Sequence, residues 1–129
     1  MQIKPDIIIE ASFLDTYINY DTLSTDVIVS GGLAAGDSVT FSGTIPYTRD
    51  NTRADIYVKN MSTGIKRPLS GGPRQTPYTF ASSETCSQRA QYSSGNIVVY
   101  FDIYNGTGAP IVLTTQTLQV TAVLIRYPY

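Results

Sequence analysis

Residues 96–104, NIVVYFDIY, alternate so cleanly that they constrain the whole chain. Ile97, Val99, Phe101 and Ile103 fall on one side of an extended backbone, and Val98, Tyr100, Asp102 and Tyr104 on the other. Apolar residues at every second position mark a strand with one buried face, because successive side chains of a strand point to opposite sides. The same period runs through SVTFSGTIPY (38–47), with Val39, Phe41, Ile45 and Tyr47 against Thr40, Ser42 and Thr44. In ADIYVKN (54–60) it sends Ala54, Ile56 and Val58 inward and Asp55, Tyr57 and Lys59 outward. Pro46 cannot donate to a ladder, so it marks an edge or a bulge. Composition pushes the same way. The chain holds 13 Ile, 9 Val and 16 Thr but only 3 Lys and 2 Glu. Branched Cβ atoms pack well on a pleated sheet, and the usual coating of exposed helices is missing.

The remaining segments fill in an antiparallel pattern. Strands are expected at 26–30, 65–69, 78–82 and 86–92, with turns at Gly36-Asp37, 61–64 and Ser94-Gly95 and a surface loop over 70–77. In 111–126 the apolar parity changes. Ile111 and Leu113 are odd, whereas Leu118, Val120, Ala122 and Leu124 are even, so a bulge is expected near Thr114–Thr117. Over the first 25 residues, Ile9, Phe13, Leu14, Tyr17 and Ile18 recur at helical spacing among weak helix formers such as Thr16, Asn19 and Thr22. This segment reads as a short helix or an extended arm. The fold expected is all-β, an antiparallel β-sandwich of seven or eight strands, immunoglobulin-like or jelly-roll. An arm over 1–25 precedes a single domain over 26–129.

Catalytic chemistry finds little to work with. The chain has no histidine, which removes Ser-His-Asp and Cys-His pairs and histidine metal sites. Neither a GxxxxGK[ST] loop nor a GxGxxG turn occurs. Cys86 has no second cysteine to pair with and reads as a buried bystander. The two glutamates are Glu10 and Glu84, and Asp50 and Asp55 flank a turn, which is poor material for a glycosidase pair. Asp50, Asn51 and Asp55 offer oxygens for Ca²⁺, a spacing that ordinary turns share. The expectation is a protein that is not an enzyme, with no cofactor and no metal. Asn60-Met61-Ser62 and Asn105-Gly106-Thr107 match the glycosylation pattern. The first fifteen residues lack the order of a signal peptide, so synthesis without export is expected and the glycosylation matches are expected to be fortuitous. No apolar run approaches the ~20 residues of a membrane span.

Net charge is −1, which gives no general attraction to nucleic acid. That total hides a segregation, because residues 1–26 sum to −4 and residues 49–74 to +4. Such blocks pair within a subunit or between neighbours, or are simply solvated. Tyr57, Tyr100 and Tyr104 lie on the face of their strands away from the core, and Tyr127 and Tyr129 end the sequence. Three readings of these tyrosines stand side by side: a second buried layer, a subunit interface and a platform for sugars.

The stretches SVTFSGTIPYTRDNTRADIYVKN and NIVVYFDIYNGTGAPIVLTTQTLQV resemble small β-sandwich virion proteins of tailed bacteriophages. That group includes head-decoration (cement) proteins and the β modules of fibres and tail tips. The likeness covers about residues 26–126. It implies a non-enzymatic structural protein of the virion surface, often a homotrimer, made in the host cytoplasm. Its partners would be further copies of itself and the major capsid protein, with no nucleic acid and no membrane. The expected role is capsid decoration, with interface candidates Phe13, Tyr17 and Ile18 in the arm and Tyr57, Tyr100, Tyr104, Arg67 and Arg74 in the body. The alternative is a receptor-binding or fibre-tip module contacting host glycan through Tyr57, Tyr100, Arg67 and Arg74. A free-standing carbohydrate-binding or adhesin-like domain is a second alternative, disfavoured by the missing export and disulfide signals.

Overall fold

The strand periods seen in the sequence assemble into two antiparallel sheets. The computed structural model describes residues 19–47, 52–69, 76–80 and 82–126. The arm candidates Phe13, Tyr17 and Ile18 lie outside them, as do Arg74, Tyr127 and Tyr129. Seven strands follow in order: β1 (Asn19–Leu33), β2 (Ser38–Pro46), β3 (Thr52–Asn60), β4 (Lys66–Pro68), β5 (Thr85–Ser93), β6 (Asn96–Tyr104) and β7 (Ile111–Arg126). The larger sheet has the order β1-β7-β3-β4 and the smaller one β2-β6-β5. First pairs with last and second with last but one. The first two pairings are nested as in a jelly roll, but β3 pairs with β7 and β4 rather than with β5, so the wrapping is not carried through. An immunoglobulin domain instead keeps its first two strands side by side in one sheet.

Two boundaries depart from the sequence reading. β1 begins at Asn19 rather than 26, because Asn19–Thr25 pair with Arg126–Val120 and complete the far side of β7's C-terminal half. A helix or free arm over 19–25 is thereby corrected. The expected strand at 78–82 is also absent: residues 78–80 and 82 carry no strand. Side chains take over the pairing there. Gln116 accepts from the Thr79 N–H through Oε1 at 2.7 Å and donates to the Thr79 carbonyl through Nε2 at 3.2 Å. Asn60 Nδ2 donates to the Pro77 carbonyl at 3.1 Å and to Gln116 Oε1 at 2.9 Å.

The parity switch in β7 is what turns Gln116 inward. The β1–β7 register shifts between Val29 and Gly31, so that Thr114 and Thr115 together oppose Ser30. Leu113 on one side of the bulge and Gln116 on the other are both buried, while Thr114 and Thr115 are exposed. An extra residue in one strand re-aims the side chains beyond it.

The core lies between the sheets. Ile97, Val99, Phe101 and Ile103 of β6 are fully buried against Val58 of β3 and Leu118, Val120 and Ala122 of β7. Gly43 keeps β1 and β2 close. A Cβ there would sit 2.8 Å from the methyl groups of Thr25 and Val27. Ser94 and Gly95 both have positive φ (39° and 82°), the requirement of the tight β5–β6 hairpin. Pro46 ends β2, an edge strand of the smaller sheet.

Candidate interaction surfaces

The outer face of the smaller sheet is set by register. Thr40, Asp102 and Ser87 form one row, Ser42, Tyr100 and Arg89 the next, and Ser38, Tyr104 and Thr85 a third. At its centre the polar groups close on one another. Arg89 Nε donates to Asp102 Oδ2 at 3.0 Å, and Thr40 Oγ1 donates to Asp102 Oδ1 at 2.8 Å. The Arg89 guanidinium also lies over the Tyr100 ring, 4.2 Å from its centroid. Tyr100 is half-buried and Tyr104 is exposed, its ring lying against Gly106.

The outer face of the larger sheet carries Tyr57 instead. Lys66 Nζ sits over its ring at 4.6 Å. Lys59 and Lys66 are directly opposite in the β3–β4 register, an unfavourable placement for two like charges. Neither has an ion-pair partner among the described residues. Thr121, between Ser24 and Tyr57 in its row, is buried and shares a hydrogen bond with the Ser24 hydroxyl at 3.0 Å. Arg67 opposes Val58 and so takes the parity of the core face, but at the sheet margin it is exposed.

The sequence candidates are therefore divided. Tyr57 occupies one outer face, Tyr100 and Tyr104 the other, and Arg67 an edge. No single ligand spans Tyr57, Tyr100 and Arg67. None of these tyrosines belongs to the core between the sheets.

Sequence reasoning missed the buried polar cluster formed by Thr76, Tyr78 and Glu84 just before β5. Glu84, expected in a serine-rich turn, is fully buried. It accepts from the Tyr78 hydroxyl at 3.0 Å and from the Ser82 N–H at 2.7 Å. Burial, reinforced by the hydrogen bond to Glu84 and its charge, pushes the Tyr78 hydroxyl well above its ordinary range. Burial also lifts the Cys86 thiol to about 11; the Thr76 hydrogen bond opposes this, and the charges of Asp102 and Glu84 add to it. A thiol held protonated in this way is a poor nucleophile. A serine-rich setting gives no warning of a buried carboxylate, since the hydrogen bonds that receive it come from the Tyr78 hydroxyl and the Ser82 N–H.

Asn60 and Asn105, the asparagines of the two glycosylation-like triplets, are also fully buried. Asn60 Oδ1 accepts from the Ser62 N–H at 2.9 Å, and Asn105 Oδ1 accepts from the Thr107 N–H at 3.0 Å. The Asn-x-Ser/Thr spacing serves local turns here.

An open cleft of about 410 Å³ lies on the β4/β5 side, walled by Ala54, Asp55, Ile56, Pro68, Leu69, Ala90 and Tyr92. Asp55 is the one carboxylate among the described residues that wall it, and Arg53 Nη2 lies 3.4 Å from it. Among the described residues no group of three or more His, Cys, Asp or Glu is placed to hold a metal ion. Comparison with protein-family models, curated proteins and solved structures returns no match.

Proposed function

We propose that the protein is a non-enzymatic structural component of a phage virion, a capsid decoration protein that self-associates on the particle surface. The observation that carries this reading is the pair of broad outer faces, surfaced with Ser, Thr and Tyr around a small number of charges. Several large apolar side chains stand exposed beyond the core, including Ile28, Met61, Tyr104 and Val112. The tyrosines and Met61 on these faces suit protein contacts, where aromatic residues and methionine are enriched. Residues 1–18, which precede β1, supply the capsid attachment in this reading.

The test is recovery of the protein with purified particles and its copy number relative to the major capsid protein. Hundreds of copies support decoration. A handful would move the role to tail or fibre, and absence from particles would overturn the reading. Removing residues 1–18 is expected to abolish attachment while leaving β circular dichroism intact. Truncated protein that still decorates would overturn the role of that segment.

A further inference from the structure

The register of the larger sheet orders its outer face in rows that run across β1, β7 and β3. One row is Asp26, Gln119 and Lys59, and its neighbour on one side is Ser24, Thr121 and Tyr57. On the other side, Ile28 is paired with Thr117, and Met61 continues the row through its N–H, which donates to the Thr117 carbonyl at 2.9 Å. β7 is the middle strand of the three, and β4, beyond β3, extends the rows of Tyr57 and Lys59 by Pro68 and Lys66. Rotation by a half turn about an axis parallel to β7 therefore keeps the rows and exchanges their ends.

That exchange is complementary at each row. Asp26 of one copy comes to face Lys59 of the other, Ile28 faces Met61, and Ser24 faces Tyr57, each pair occurring twice. Asp26, Lys59, Ile28 and Met61 are under-used within a single chain, whereas Ser24 and Tyr57 already contact Thr121 and Lys66. Among the described residues, Asp26 reaches only Gln119 Nε2, at 3.5 Å. Lys59 faces Lys66, and Ile28 and Met61 are 61% and 47% exposed. A two-fold contact between identical surfaces requires this kind of self-match. Twisted sheets stack face to face about 10 Å apart, with their strands within about 30° of each other, which is compatible with such an axis.

We propose that the outer face of the larger sheet is a two-fold self-association surface whose occupant is a second copy of this chain. The inference takes up the self-association of the proposed function and names its surface. It yields dimers or even-numbered assemblies, in contrast to the trimer that the resemblance implies.

The experiment uses the full chain and light scattering across a dilution series. Asp26→Lys and Lys59→Asp each place like charges opposite one another, twice per dimer, and each is expected to weaken association at least about ten-fold. Mixing the two variants is the decisive arm. In the mixed dimer the introduced lysine of one variant faces the introduced aspartate of the other. The unaltered Lys59 and Asp26 face each other as in the parent, so association is expected to return to within a few-fold of the parent chain. Loss in the single variants with recovery in the mixture supports the surface. Single variants that associate like the parent, a mixture that stays weak while each variant keeps its β circular dichroism, or a parent chain that is monomeric or trimeric would overturn it. If particles carry the protein while the charge exchange has no effect, this surface fails and the virion reading survives.

Discussion

On the smaller sheet Arg89, Tyr100, Asp102 and Thr40 satisfy one another, whereas on the larger sheet Asp26 and Lys59 stand in one row with Gln119 between them. Both faces are built of outward positions on similar strands. They differ in where opposite charges fall. Arg89 and Asp102 lie on adjacent strands, one row apart, within reach of a direct bond. Asp26 and Lys59 are two strands apart, roughly 9–10 Å at ordinary strand spacing, and form no ion pair with each other. A face whose charges are already paired gains little from a partner, and one whose charges are held apart presents both signs to whatever approaches.

The largest effect expected separates the inside of the sandwich from its outer faces. Phe101→Ala, on the inner side of β6, should cost about 3–5 kcal/mol in chemical denaturation, since it empties a fully buried aromatic site. Ile28→Ala, on the outer side of β1, should cost no more than about 0.5 kcal/mol and show itself in association instead. Comparable losses in stability would mean that the outer face of the larger sheet is covered within the single chain.

Alkaline pH acts on the smaller sheet next. Unfolded, the Cys86 thiol ionises near its ordinary value of 9; folded, it holds its proton up to about 11. Its contribution is therefore complete below pH 9 and is lost as pH rises to 11, about 2–3 kcal/mol in all. Tyr78 acts in the same direction from its ordinary value of 10 upward. Denaturation midpoints followed from pH 8 to 11 should fall more steeply in the parent chain than in Cys86→Ala. Parallel slopes would show that the thiol is not held protonated.

A smaller effect tests the polar substitute for a missing strand. Gln116→Leu removes the groups that pair with the Thr79 backbone and should cost about 1–2 kcal/mol. Amide exchange should rise over 76–80 and stay unchanged along β6. Unchanged exchange at Thr79 would show that other contacts hold the segment.

Gln116 also shows how far the sequence could be read. The parity of Ile111 and Leu113 against Leu118 and Val120 located the bulge, because period two is a local property of the backbone. What the bulge is for depends on Thr79 and Asn60, 37 and 56 residues away in the chain. The strand expected at 78–82 failed for the same reason. Residues 78–80 and 82 join no sheet, and the side-chain amides of Gln116 and Asn60 supply hydrogen bonds to the segment instead. Tyr57, Tyr100 and Tyr104 were correctly placed away from the core, since parity settles that much. Their division between opposite faces follows from which strands share a sheet, and strand order is invisible to periodicity. The start of β1 was missed because Asn19–Thr25, mostly polar apart from Tyr20 and Leu23, show no clear alternation and are paired by β7.

The smallest effect bears most directly on the difference between the faces. Arg89→Ala removes an ion pair whose side chains are 55% and 32% exposed, together with a cation–π contact. Exposed ion pairs contribute about 0–1 kcal/mol, and an exposed cation–π contact about 0.5–1 kcal/mol, partly through the same guanidinium. A total loss of no more than about 1 kcal/mol is expected. Because Arg89 already has its partners within the chain, association by light scattering should match the parent, unlike that of Asp26→Lys. An Arg89→Ala chain that dissociates would reverse the assignment of the two faces. The closed network on the smaller sheet would then be the contact, with Tyr100 and Tyr104 at its centre, and the charges on the larger sheet would be solvated.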